Sequence, residues 1–148
     1  LAICEYLAER FPAARLWPEA PGARAVARSV SAEMHSGFQA LRSAPPMNLR
    51  LRRPVASPAP DVQADLARIR AIWRGLLAAP RDGEYLFGGF GIADAMFAPV
   101  VGRCLTYGVA LDGPEAAYAD AVWRHPAVAG WVAAAREEGR SIPKYDGA

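Results

Sequence analysis

The side chains able to do chemistry are few and scattered. The chain has two cysteines, Cys4 and Cys104, and two histidines, His35 and His125. No nucleophile–base pair emerges among them, and they lack metal-ligand spacing. Both thiols sit among apolar helical neighbours and are expected to be buried and free, as in a reducing cytosol. His125 precedes Pro126 and reads as part of a helix boundary. Gly88-Gly89 with Gly91 reads as a helix-entry turn and not as a phosphate loop. Arg50, Arg52 and Arg53 form a basic cluster in a proline-rich stretch without interleaved aromatics, the pattern of a solvated loop. The net charge of +2 gives no electrostatic case for nucleic acid or a membrane surface. No catalytic residue and no metal site is assigned.

One arrangement is chemically specific. In Tyr85-Leu86-Phe87-Gly88-Gly89-Phe90-Gly91-Ile92-Ala93-Asp94-Ala95, Gly91 stands at a helix N-cap and Asp94 three residues later at N3. An N3 carboxylate can reach back to the N-cap backbone N–H, pairing a donor that helix geometry leaves orphaned. Phe90 at N′ is placed to pack over Ala95 as a hydrophobic staple. The helix that follows, about Ile92 to Tyr107, is apolar almost all round, with only Asp94 and Arg103 charged. Such a helix belongs at the centre of a bundle.

The other elements must surround it. The 148 residues suit one domain, and 53% of them are hydrophobic, enough for a sizeable core. The longest apolar run, 95–102, is far too short for a membrane span. Ile3, Leu7 and Phe11 recur at helical spacing with no cap before them, so the opening reads as the second half of a helix begun upstream. Residues 12–22, rich in proline, read as a linker, with Leu16 and Trp17 as docking side chains. A long helix is expected from Ala23 to Arg42, its stripe formed by Val26, Val30, Met34, Phe38 and Leu41. Residues 43–60 read as a long loop. A helix from Asp61 to about Ala79 turns Val62, Leu66, Ile69, Trp73 and Leu76 inward, with Gln63, Asp65, Arg68, Arg70 and Arg74 outside. Helices over 113–124 and 126–138 complete an all-α, orthogonal bundle of about five helices, followed by an irregular tail.

The stretch from Tyr85 to Ala95 resembles the G-x-F-[ST]-x-A-D signature that opens the central buried helix of the C-terminal domain of cytosolic glutathione transferases. Ala2-Ile3-Cys4-Glu5-Tyr6-Leu7 is similar to the last helix of their thioredoxin-like domain, and Leu16-Trp17-Pro18 to their linker. His125-Pro126 fits the start of a late helix, and the order of elements agrees along essentially the whole chain. Glu33-Met34-His35-Ser36-Gly37-Phe38 and Pro46-Met47-Asn48-Leu49-Arg50 further resemble a bacterial branch. One departure is Gly91, where the family has Ser or Thr; glycine is a tolerated N-cap.

The resemblance implies a parent protein that conjugates or isomerises small electrophiles with glutathione. Residues 1–11 would be the remnant of the thioredoxin-like domain, 12–22 the linker and 23–148 the helical domain. Glutathione, as co-substrate, would be held mainly by the thioredoxin-like domain, whose Ser, Tyr or Cys lowers the thiol pKa. That residue lies outside this chain, so the chain alone is expected to be inactive. Without that domain, Ile3, Leu7 and Trp17 would form an exposed apolar patch that favours self-association.

What the resemblance places in this chain is a wall of the electrophile pocket: Met34, His35 and Phe38 on the first helix, Arg103 and Tyr107 on the central one, with Met47 and Asn48 just beyond. Met34 and Phe38 continue a regular core stripe, which favours core over pocket; His35 also fits an interdomain or surface position, and Tyr107 a cap on the core. Arg103, a cation on an apolar helix, calls for a partner or a cleft. A homodimer is expected of the parent. The competing reading is a non-catalytic interaction module of the same fold.

Overall fold

The computed structural model describes residues 1–140 and residue 142. Seven α-helices account for most of them: α1 (Ala2–Arg10), α2 (Pro21–Ser36), α3 (Gln39–Ser43), α4 (Pro60–Ala78), α5 (Ile92–Tyr107), α6 (Gly113–Arg124) and α7 (Pro126–Glu137). Among the described residues the only β-type pairing is two isolated bridges, Tyr85 with Gly88 and Phe87 with Gly89. Proline occupies the first turn of α2, α4, α6 and α7, where its missing N–H costs nothing. Among the described residues no helix is long and apolar enough to cross a membrane.

α5 is the centre, as its all-round apolarity requires. Phe97, Val100 and Val101 are fully buried, with α2 against it on one side and α6 on another. Trp73 of α4 sits at the hub, edge-on to Phe97 at 5.8 Å and to Tyr118 of α6 at 5.1 Å. The inward face of α4 is Val62, Leu66, Ile69, Ile72, Trp73 and Leu77; Leu76 is only partly buried.

The expected helix over 23–42 is instead two helices, which is why the bundle has one more element than the periodicity suggests. The chain breaks at Gly37-Phe38, where Phe38 adopts a left-handed backbone at φ 59°. A Cβ at Gly37 would lie 2.8 Å from the Glu33 carbonyl oxygen. The cap of α3 comes from elsewhere: the Leu41 N–H donates to Asp65 Oδ2 at 3.0 Å. Asp65 is thus a capping residue of a neighbouring helix, not merely an outward charge. Phe38 and Leu41 still reach the core, while Val26 is 43% exposed.

α1 is held by charge. Glu5 accepts two 2.8 Å bonds from Arg28 and a third, at 3.2 Å, from Trp17 Nε1. The expected linker holds one 3₁₀ turn, Pro12–Ala14, and its Trp17 is buried against Ala27 and Ile92. The expected apolar patch is therefore made by Ile3, Tyr6, Leu7 and Phe11, which are exposed, and not by Trp17. Cys104 is buried, but Cys4 only half-buried.

Candidate functional site

The site is built where a proline-rich strap crosses the C-terminal end of α5. Residues 44–59 contain too many prolines to form a helix, and their backbone needs partners. The last carbonyls of α5 supply them, since a helix end leaves acceptors unpaired. The Arg53 N–H donates to the Thr106 carbonyl at 2.8 Å and the Val55 N–H to the Tyr107 carbonyl at 2.9 Å. Side chains tie the rest: Tyr107 Oη donates to the Pro46 carbonyl at 2.8 Å, and Thr106 Oγ1 to the Asn48 carbonyl at 2.9 Å. Asn48 Oδ1 accepts from the N–H groups of Arg50 and Leu51, closing a side-chain-stabilised turn. Gly108 ends α5 at φ 69°, and a Cβ there would lie 3.0 Å from Pro54 Cβ. Gly108→Ala is expected to cost about 1–2 kcal/mol from the left-handed backbone alone, read as a lowered midpoint in urea.

Beneath the strap lies a cavity of about 410 Å³ whose walls include Leu41, Val62, Leu66, Pro46, Val55 and Val109. Arg103 and Tyr107, one helical turn apart on α5, both face it, as does Cys104. Arg103 donates from Nε to the Pro45 carbonyl at 3.0 Å and from Nη1 to the Pro99 carbonyl at 3.2 Å. Burial, and after it the charge of Arg42, holds its pKa below the ordinary arginine value. Burial raises the Tyr107 phenol against the pull of Arg103 and Arg53, so it remains a neutral donor at physiological pH. The Cys104 thiol is pushed up to about 11 by burial, so at neutral pH it is a thiol and not a nucleophile.

The sequence-predicted wall divides among three places. Arg103 and Tyr107 meet at this cavity. Met34 and Phe38 lie in the main core, 7% exposed each, while His35 is on the surface and its carbonyl accepts from Arg42 at 2.7 Å. Met47 and Asn48 line a different groove, against Trp131 and Ala135 of α7. Arg50, expected to be solvated, reaches the carbonyls of Glu138 and Arg140 at 2.7 and 3.1 Å and secures the end of α7. Sequence reasoning missed Cys104 on the cavity wall and Arg42 as a charge that bears on Arg103. Cys104 follows Arg103 directly, which was a signal; Arg42 gave none. No cluster of His, Cys, Asp or Glu among the described residues could hold a metal ion.

The N-terminal end of α5 follows the expected plan. Asp94 is buried; its Oδ2 accepts from the Gly91 N–H at 2.9 Å and its Oδ1 from the Leu86 N–H at 3.1 Å. The expected staple does not form: Phe90 stacks on His125 at 3.7 Å and meets Tyr85 edge-on, while Ala95 is exposed. An aromatic ring gains more from a facing ring than from one methyl group.

No family model matches the chain, and no curated protein does. Among solved structures it matches a glutathione transferase homolog from Burkholderia GL BGR1, crystallised with bound glutathione, at a TM-score of 0.66 and 26% identity. The alignment covers 93% of this chain and 66% of that one. The chain is thus similar, at a distance, to a bacterial glutathione transferase homolog. Its all-helical fold agrees with the C-terminal domain of such proteins, and it spans about two thirds of the length of that relative.

Proposed function

We propose that this chain forms the electrophile-side part of a glutathione-dependent transferase, with the cavity under the strap as the pocket for the electrophile. The observation that carries the reading is the likeness, over 93% of the chain, to a structure that holds glutathione. The cavity adds to it: apolar walls would receive an uncharged or weakly polar carbon skeleton, and Arg103 presents a donor at one side. On this reading a thioredoxin-like domain, packed on the exposed face of Ile3, Tyr6, Leu7 and Phe11, would hold glutathione and activate its thiol. The chain by itself would have no conjugating activity, since Cys104 is a protonated thiol and no nucleophile–base pair lines the cavity. The whole protein would act as a homodimer.

The test is the intact mass of the native gene product, with glutathione conjugation to an uncharged aromatic halide assayed on the same sample. The expected result is a product roughly 8–9 kDa heavier, one small domain, that conjugates glutathione. A native product of this mass without activity would overturn the enzyme reading in favour of a non-catalytic interaction module.

A further inference from the structure

Several guanidinium groups of the fold meet a carboxylate: Arg28 meets Glu5, Arg68 meets Glu33, Arg124 meets Glu84, and the half-buried Arg70 meets Glu115 and Asp112. Arg24, Arg42 and Arg81 bond only carbonyls, but none of the three lines the cavity beneath the strap. Arg103 has no ion pair among the described residues. The charged and titratable groups that bear on it are Arg42 from α3 and Tyr107 and Cys104 from its own helix, none of them a carboxylate. The strap gives it only a carbonyl, at Pro45.

A guanidinium has five N–H donors, and the bonds to the Pro45 and Pro99 carbonyls use one each on Nε and Nη1. Nη2 has no acceptor among the described residues and is not fully buried, so it remains accessible on a residue that lines the cavity. A partly desolvated cation beside Arg42, with no carboxylate partner among the described residues, is costly unless an anion joins it. Apart from Arg53, Ser57, Cys104 and Tyr107 the rest of the cavity wall is apolar, and its volume of about 410 Å³ lies in the range of small-molecule sites.

We infer that the cavity beneath the strap takes an amphipathic monoanion, a carboxylate on an apolar body about the size of one aromatic ring with a short chain, its carboxylate on Arg103. The apolar body lies against Leu41, Val62, Leu66 and Val55, and the two backbone carbonyls already on Arg103 fix the guanidinium plane for the incoming oxygens. As a statement about the electrophile, this rests on the transferase reading above. As a statement about binding by this chain, it does not.

The experiment is calorimetric titration of the 148-residue chain with 4-phenylbutyrate and with 4-phenyl-1-butanol, an uncharged analogue. The carboxylate is expected to bind about tenfold tighter or more at low salt, the size of a charge-assisted bond, and the advantage should shrink as salt rises. Arg103→Met should abolish the preference while the alcohol still binds. Tyr107→Phe, which loosens the strap but keeps the cation, should retain it. If Arg103→Met does not fold, Arg42→Met serves instead: its side chain is exposed, and the preference should fall severalfold. Equal binding of the two probes, no binding of either, or a preference untouched by both arginine variants would overturn the inference. Conjugation of an uncharged halide by the native product with no carboxylate preference here sinks this inference alone. A carboxylate preference without any glutathione activity sinks the transferase reading alone.

Discussion

Exchanging Arg70 and Arg74 together for methionine is expected to cost about 3–5 kcal/mol of stability, the range for stranding one member of a buried ion pair. The two lie one turn apart on α4 and converge on Glu115 of α6. Arg70 Nε meets Oε2 at 2.6 Å and Arg74 Nε meets Oε1. The glutamate is the buried member, with a side chain 1% exposed against 26% and 57% for the arginines. Removing both cations leaves a carboxylate in the core with no counter-charge. Removing the carboxylate leaves cations that still reach water and Asp112. Glu115→Gln alone should therefore cost less than the double exchange, and adding it to the double exchange should restore a good part of the loss. Urea unfolding of the four proteins forms the cycle. A double variant within about 1 kcal/mol of wild type, well below the buried-pair range, would show that the cluster contributes no more than a surface pair.

That cluster also marks the boundary of what the sequence discloses. On α4 the periodicity separates the inward stripe from the charges, and it does so correctly for Val62, Leu66, Ile69 and Trp73. It cannot separate Arg68, which pairs on the surface with Glu33, from Arg70, which turns toward Glu115, because the partners lie 35 and 45 residues away. The starts of α5 and α7 were legible because their signals are local: Gly91 and Asp94 at one, Pro126 at the other. The break at Gly37-Phe38 was not, since the cap that rewards it is Asp65, 24 residues on from Leu41. The site divides in the same way. Arg103 and Tyr107 could be chosen from one helix face. The strap that closes the cavity over them is joined by bonds spanning 58 and 61 residues, and loop composition does not encode such contacts. Met34 and Phe38 were open to two readings because an apolar stripe looks the same whether it faces a core or a pocket.

Asp94→Ala is expected to cost about 2–4 kcal/mol, because it strands two backbone donors at once. The sequence supplies one of them, Gly91; the structure adds Leu86, whose N–H is carried to Oδ1 by the tight turn at Tyr85–Gly88. Asp94→Asn should cost less, since its amide oxygen can still accept one of the two bonds while its NH₂ faces the other donor. Wild type and the asparagine variant should also differ in their response to pH. Burial raises the Asp94 pKa, outweighing the bonds from Gly91 and Leu86 and the nearby Tyr118 hydroxyl, which lower it. Between the ordinary carboxylate pKa and this raised value the folded state holds a proton that the unfolded state has released. Its contribution to stability is therefore full below the ordinary value and is lost as pH rises through the raised one. The stability difference, wild type minus Asp94→Asn, should fall as pH climbs from about 4, the ordinary aspartate value. Taking that difference removes the opposite trend of Glu5 and Glu33, whose arginine partners hold their pKa values down. A difference that stayed flat across this range would mean that Asp94 keeps its charge throughout, and that the two backbone bonds alone offset its burial.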